Sequence, residues 1–204
     1  MSKDARTAEI TPNAYRTHSC GQLRKSDVGE QVKLSGWVSV RRDHGGLIFI
    51  DLRDKYGITQ LTFNPEQQDA FNVAETLRSE WVIHIEGEVA SRPAEMVNDK
   101  LVTGEIEVQV NSIEVLSTAK ALPFELDKAE DVNEDLRLQY RFIDLRREKM
   151  QFIMKKRDEV ISYVRQYMHG EGFTEIQTPI LANSSPEGSR DFLVPCRLYP
   201  GKFF

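Results

Sequence analysis

From Val32 to Asn64 the chain reads VKLSGWVSVRRDHGGLIFIDLRDKYGITQLTFN, with apolar residues at Val32, Leu34, Val38 and Val40, then Ile48, Ile50 and Leu52, then Leu61 and Phe63. A period of two leaves few options, because a strand sends successive side chains to opposite faces and a helix does not. The alternation breaks at Asp43-His44-Gly45-Gly46 and at Lys55-Tyr56-Gly57. Glycine at both corners supplies the positive φ that tight hairpins use, so the segment is predicted to be a three-stranded antiparallel meander.

The face opposite those apolar residues carries Trp37, Ser39 and Arg41, then Phe49, Asp51 and Arg53, then Gln60 and Thr62. An aromatic ring among polar side chains on an open sheet can stack one unpaired base while its neighbours read the base edge, and such stacking contributes about 1–3 kcal/mol per base. The alternative is that Phe49 packs under a loop or a neighbouring domain.

Pro65 to Glu80 follows, with Phe71, Ala74 and Leu77 at helical spacing behind a proline in the first turn. Trp81, Ile83, Ile85 and Val89 then alternate with polar residues, as do Ile106, Val108 and Val110 after a loop. Three antiparallel strands, a helix and two more strands make the layout of a five-stranded OB barrel, which binds oligonucleotides on the face of its second and third strands. His84 reads as a polar outward residue.

A net charge of −5 and a pI near 5.5 exclude a uniformly basic nucleic-acid-coating surface, so any RNA contact is local. Arg137 to Arg157 is the basic run; it is either a solvated helix face or a segment lying along a phosphate backbone. No apolar run reaches membrane-spanning length, and MSKDARTAEITPNA lacks the apolar core of a secretory signal, so a cytoplasmic chain with a short disordered extension is expected. Cys20 and Cys196 lie far apart without metal-site spacing and are read as reduced thiols; no metal is implied.

Periodicity lapses from Ser117 to Asn133. A short helix near Glu134 to Leu145 and a longer one from Lys149 to His169 are predicted, the latter stopped by Gly170 and Gly172. GFTEIQTPIL, Gly172 to Leu181, then reads as a strand, and SSPEGSRDFLVPCR, Ser184 to Arg197, as an exposed loop followed by another strand. The expected divisions are an extension over 1–14, the OB domain over 15–118, a linker over 119–147 and the start of a second domain over 148–204.

SGWVSVRRDHGGLIFIDLRDKYGITQ, LRLQYRFIDLRR, GFTEIQTPIL and SPEGSRDFLVP, in that order, resemble the bacterial-type aspartyl-tRNA synthetases of class II, which carry an N-terminal OB anticodon-binding domain. The resemblance covers about Tyr15 to Phe204. It implies an all-β OB barrel followed by the start of an α+β class II catalytic domain built on an antiparallel sheet, truncated. It also implies that Phe49 stacks on the central anticodon base, that Gln60 hydrogen-bonds its edge, and that Arg42 and Glu107 complete the pocket. Alternation supports Phe49, Gln60 and Glu107 as outward-facing but favours Arg41 over Arg42. GFTEIQTPIL matches motif 1, whose Pro179 belongs to a homodimer interface, and Glu187 matches the glutamate that holds the α-ammonium of aspartate. Members that also charge tRNA-Asn tend to carry histidine where this chain has His44 and glycine where it has Glu95; the balance tips to the dual-specificity enzyme, with His44 as a plain turn residue the alternative.

Within this family the parent activity is ATP- and Mg²⁺-dependent activation of L-aspartate and its transfer to tRNA-Asp, without membrane or DNA partners. The arginines of motifs 2 and 3, which hold the ATP phosphates, are not found, so no catalytic residue is assigned and the chain is expected to be an N-terminal fragment without adenylate chemistry. The competing expectations are a stand-alone OB-fold RNA-binding or regulatory paralogue without ligase activity, and a related synthetase for asparagine or lysine.

Overall fold

The computed structural model describes residues 10–126, 131–181 and 192–203. Two compact units are distinguished, Met1–Leu122 and Pro123–Phe204.

The first unit contains β1 (Gln31–His44), β2 (Leu47–Arg53), β3 (Ile58–Phe63), α1 (Gln68–Thr76), β4 (Val82–Ser91) and β5 (Ile106–Ser117). The strands close into a barrel in the order β1-β2-β3-β5-β4. Only β3 and β5 pair in parallel. Closure leaves no strand edge unpaired, and the inward residues of every strand meet in one core. Leu34, Ile50, Leu52, Leu61, Ile83 and Ile106 are fully buried there. Each such side chain contributes about 1.5–3 kcal/mol through its burial. Helix α1 packs on this core through Ala70, Ala74 and the following Leu77. Pro65 precedes the helix rather than occupying its first turn.

The two hairpin corners need glycine for different reasons. Gly45 and Gly46 have φ of 63° and 91°, as the two-residue link between β1 and β2 requires. Gly57, expected to do the same, has no positive φ. A Cβ there would lie 2.7 Å from the Cα of Gly21, so glycine is required by the close approach of the N-terminal segment. Asp54 shapes that corner by accepting from the backbone N–H groups of Tyr56, Gly57 and Cys20.

Strict alternation also fails once in β1. Val38 opposes Leu52, but Val40 opposes Asp51, so Ser39 is an extra residue. Such a bulge turns every later side chain to the other face. Val40, predicted to be in the core, is therefore 39% exposed. His84, by contrast, is polar and outward as expected, and its Nδ1 lies 2.9 Å from the Tyr15 carbonyl oxygen.

The second unit contains α2 (Glu134–Gln139), α3 (Arg141–Asp144) and α4 (Glu148–Gly170). Asn133 caps α2 by accepting from the Asp135 N–H at 2.8 Å. Part of the basic run is committed internally. Asp144 is fully buried and ion-paired with Arg141, with Arg147 at 2.8 Å and with Arg137 at 3.9 Å. The apolar residues of α4 are not covered: Phe152, Val160, Val164 and Tyr167 are each more than half exposed. Gly172, φ 83°, follows the helix.

The strand predicted over Gly172 to Leu181 does not form, because a strand needs a ladder partner and none is present among the described residues. Beyond it, the described residues carry a single isolated bridge, Pro195 to Phe203, where a further strand was expected. Glu187 and most of its loop lie outside the described residues.

Candidate nucleic-acid interface

The bulge at Ser39 decides which arginine stands beside Phe49. After it, Arg42 is the direct cross-strand partner of Phe49, and Arg41 that of the buried Ile50. Arg41 instead donates from Nε to the Ala74 carbonyl near the end of α1, at 3.0 Å. A cation there complements the negative end of the helix dipole. On the neighbouring pair, Phe49 opposes Thr62 and Asp51 opposes Gln60. Glu107, on β5, lies alongside β3 through the parallel pairing of Leu61 with Val108. Four strands' worth of ladder thus bring Arg42, Phe49, Gln60 and Glu107 to one outer face.

Their polar groups form a continuous chain. Arg42 Nη1 and Nη2 donate to the two Asp51 carboxylate oxygens at 2.8 and 2.7 Å, a bidentate pair. Arg42 Nη2 also reaches Gln60 Oε1 at 3.4 Å. Gln60 Nε2 donates to Glu107 Oε2 at 3.0 Å. The Gln60 amide is therefore held in one orientation, with oxygen toward Arg42 and nitrogen toward Glu107. Each end keeps hydrogen-bonding capacity that the protein does not use. A fixed amide beside a partly exposed ring can hold one flat heteroaromatic group by stacking and test the order of donors and acceptors along its edge.

Two participants were not singled out from the sequence. Asp51 was placed on the outer face by alternation, yet nothing there marked it as the partner of Arg42. Arg92 follows β4 and is buried, donating from Nε to the Ile106 carbonyl at 2.8 Å, while its Nη2 makes no hydrogen bond among the described residues. Burial pulls its guanidinium below the ordinary value; Glu107 and Asp51 oppose that shift and Arg42 adds to it. Arg92 thus belongs electrostatically to the same cluster. An arginine beside Pro93 in a loop gives no periodic signal, which is why it escaped notice.

His44 stands at the end of β1 with its ring centroid 6.2 Å from that of Phe49, tilted by 53°. Glu95 lies apart, exposed in the short 3-10 turn Ala94–Met96, with no hydrogen bond to the cluster. Pro179 is exposed in the second unit. Among the described residues no group of three His, Cys, Asp or Glu is placed to hold a metal ion, and no helix is long and apolar enough to cross a membrane.

Two family matches divide the chain: residues 32–116 match the OB-fold nucleic acid binding domain, and residues 133–204 match the class II tRNA synthetases (D, K and N). The chain is 54% identical over 192 residues to the aspartate–tRNA(Asp/Asn) ligase of Rubrobacter xylanophilus, covering 94% of this chain and 32% of that protein. It is 56% identical over 190 residues to the ligase of the same name from Mesorhizobium japonicum, again covering 32% of it. The chain therefore spans about a third of the length of the curated relatives it matches. Among solved structures, a putative aspartyl-tRNA synthetase from Leishmania major aligns over 95% of this chain and 39% of its own, with a TM-score of 0.79 at 25% identity. The asparaginyl-tRNA synthetase of Pyrococcus horikoshii complexed with asparaginyl-adenylate aligns over 88% of this chain and 40% of its own, with a TM-score of 0.77 at 27% identity. Barrel topology, both matches and identity above one half across nearly all of its length agree: the chain belongs to the bacterial-type aspartyl-tRNA synthetase family of class II, and corresponds to its N-terminal portion.

Proposed function

We propose that this chain supplies the anticodon-reading module of an enzyme that joins L-aspartate to tRNA-Asp. The observation that carries the reading is the Asp51–Arg42–Gln60–Glu107 chain of hydrogen bonds beside Phe49. Phe49 stacks on the central anticodon base, Gln60 bonds its edge, and Arg42 and Glu107 fix the amide that does so. The pair Arg42 and Asp51 is neutral overall, which suits base reading better than general phosphate attraction. An acidic protein that binds RNA here does so through this face rather than through its net charge.

The relatives are named for both tRNA-Asp and tRNA-Asn, and His44 lies against the Phe49 ring. On that basis the proposed substrate range includes tRNA-Asn, with His44 at the edge of the base site. Glu95, exposed after β4, is the second position proposed to bear on that range, and as it is not glycine it departs from the habit of such members. Homodimerisation through the exposed α4 face and the segment containing Pro179 belongs to the same proposal, as does a cytoplasmic location. ATP and Mg²⁺ serve the parent reaction, but no residue described here fits either, so no step of adenylate formation is assigned to this chain. Glu187 is proposed to hold the α-ammonium of aspartate when the catalytic domain is whole.

Anticodon transplantation tests the reading. Moving the aspartate anticodon into an unrelated tRNA is expected to confer binding to the 204-residue chain at fixed salt, and ATP–pyrophosphate exchange by the chain is expected to stay at background. Binding that follows the acceptor stem instead, or exchange above background, contradicts it.

A further inference from the structure

Near its end β1 carries two consecutive arginines, and only one of them can share a face with Phe49. Alternation from Val38 would select Arg41; the extra residue Ser39 selects Arg42. The bulge is therefore a functional element of the site, and what holds the bulge determines which guanidinium stands beside Phe49 and fixes the Gln60 amide.

The bulge is fastened by the segment that joins α1 to β4. The Glu80 N–H donates to the Val38 carbonyl at 2.7 Å, and the Val38 N–H donates to the Trp81 carbonyl at 2.9 Å. Glu80 has a φ of 66° and is the non-glycine residue with positive φ among the described residues. Glycine would take that conformation without strain, so the glutamate is explained by what its side chain does. Its carboxylate is 4% exposed and accepts from Arg53 Nη2 at 2.6 Å. Arg53 sits on β2 opposite Trp37, immediately before the bulge begins, and its Nη1 also reaches Ser39 Oγ at 3.4 Å. A buried charge pair thus ties β2, the extra residue of β1 and the entry to β4 together. Such pairs specify geometry more than they add stability.

We propose that Glu80, acting through Arg53, is a positioning residue for Arg42: the ion pair holds the Ser39 bulge in place and so keeps Arg42, rather than Arg41, beside Phe49. The proposal rests on the anticodon reading of this face. Neither Glu80 nor Arg53 touches the RNA in this account.

A double-mutant cycle in the 204-residue chain tests it, with anticodon stem-loops of tRNA-Asp carrying the natural or an altered central base as probes. Glu80→Gln keeps the side-chain shape and removes the charge. It is expected to weaken binding of the natural loop roughly tenfold, near the low end of what one arginine contact contributes, and to lower discrimination between the loops. In an Arg42→Ala background the same change should have no further effect, since the contact it positions is already gone. Glu80→Gly, whose backbone favours positive φ, should behave like Glu80→Gln and covers the case in which the glutamine variant folds poorly. Full discrimination in both Glu80 variants, or losses that add independently to that of Arg42→Ala, would overturn the positioning role while leaving the anticodon reading intact. Equal binding of both loops by the unsubstituted chain would overturn the reading, and the proposal with it.

Discussion

The barrel and the second unit handle the same problem, hydrophobic side chains on regular elements, in opposite ways. In the barrel, five strands close on themselves and α1 covers the core, so Leu34, Ile50 and Leu61 lose all contact with water. In the second unit, α4 has more residues than any strand, yet Val160, Val164 and Tyr167 remain more than half exposed among the described residues. Its internally paired feature is ionic: the buried Asp144 among three arginines. The difference shows that periodicity predicts an element, whereas burial depends on what the element meets. A period of two in a segment that closes a barrel finds its partners within a hundred residues. A period of 3.6 on a lone helix names a face and leaves its partner unnamed.

The two cysteines offer the widest separation between the regions. Cys20 is fully buried in the barrel, and its thiol is pushed well up, first by burial and then by the Asp54 carboxylate. Cys196, in the second unit, is only partly covered. Reagent reaches a partly covered thiol without unfolding, so Cys196 should be alkylated readily. Cys20 should react on the order of a thousandfold more slowly, because it must wait for the barrel to open. Equal rates, followed by mass spectrometry of the modified peptides, would break the comparison.

Core truncation sharpens it further. Ile50→Ala is expected to cost the barrel about 2–5 kcal/mol in denaturant unfolding. Val164→Ala on α4 should cost less than about 0.5 kcal/mol, since its side chain leaves no cavity. Comparable losses would mean that α4 is covered in solution.

How much of this was legible in the sequence follows from the same physics. The five strands, the helix and their order could be read because each buried face repeats with its own period. Phe49, Gln60 and Glu107 could be placed outward for the same reason. Arg42 could not, because one inserted residue reverses parity and Ser39 looks like any other strand serine. The role of Gly57 was misread, since a glycine required by a neighbour 2.7 Å away looks the same in a sequence as one required by its own φ. Arg92 was invisible because its importance lies in burial beside Glu107, on another strand. The strand expected over Gly172 to Leu181 failed because alternation describes a strand's faces and says nothing of its ladder partner.

A smaller effect separates the regions by their polar chemistry. Asp144→Asn removes the negative centre on which Arg137, Arg141 and Arg147 converge. The second unit should lose about 1.5–3 kcal/mol, the range for hydrogen bonds to charged groups. Hydrogen exchange should accelerate in α2 to α4 and remain unchanged in β1 to β5. Acceleration in both regions would show that they unfold as one.

The most direct measurement of the central claim is the affinity of the 204-residue chain for the tRNA-Asp anticodon stem-loop, beside a loop with the central base changed and a Phe49→Ala variant, all at one salt concentration. Stacking by Phe49 predicts a loss of about 1–3 kcal/mol in the variant, together with a clear preference of the unsubstituted chain for the natural loop. Equal affinity for both loops, or a Phe49→Ala variant that binds as well as its parent, would contradict the assignment of this barrel face as a reader of anticodon bases.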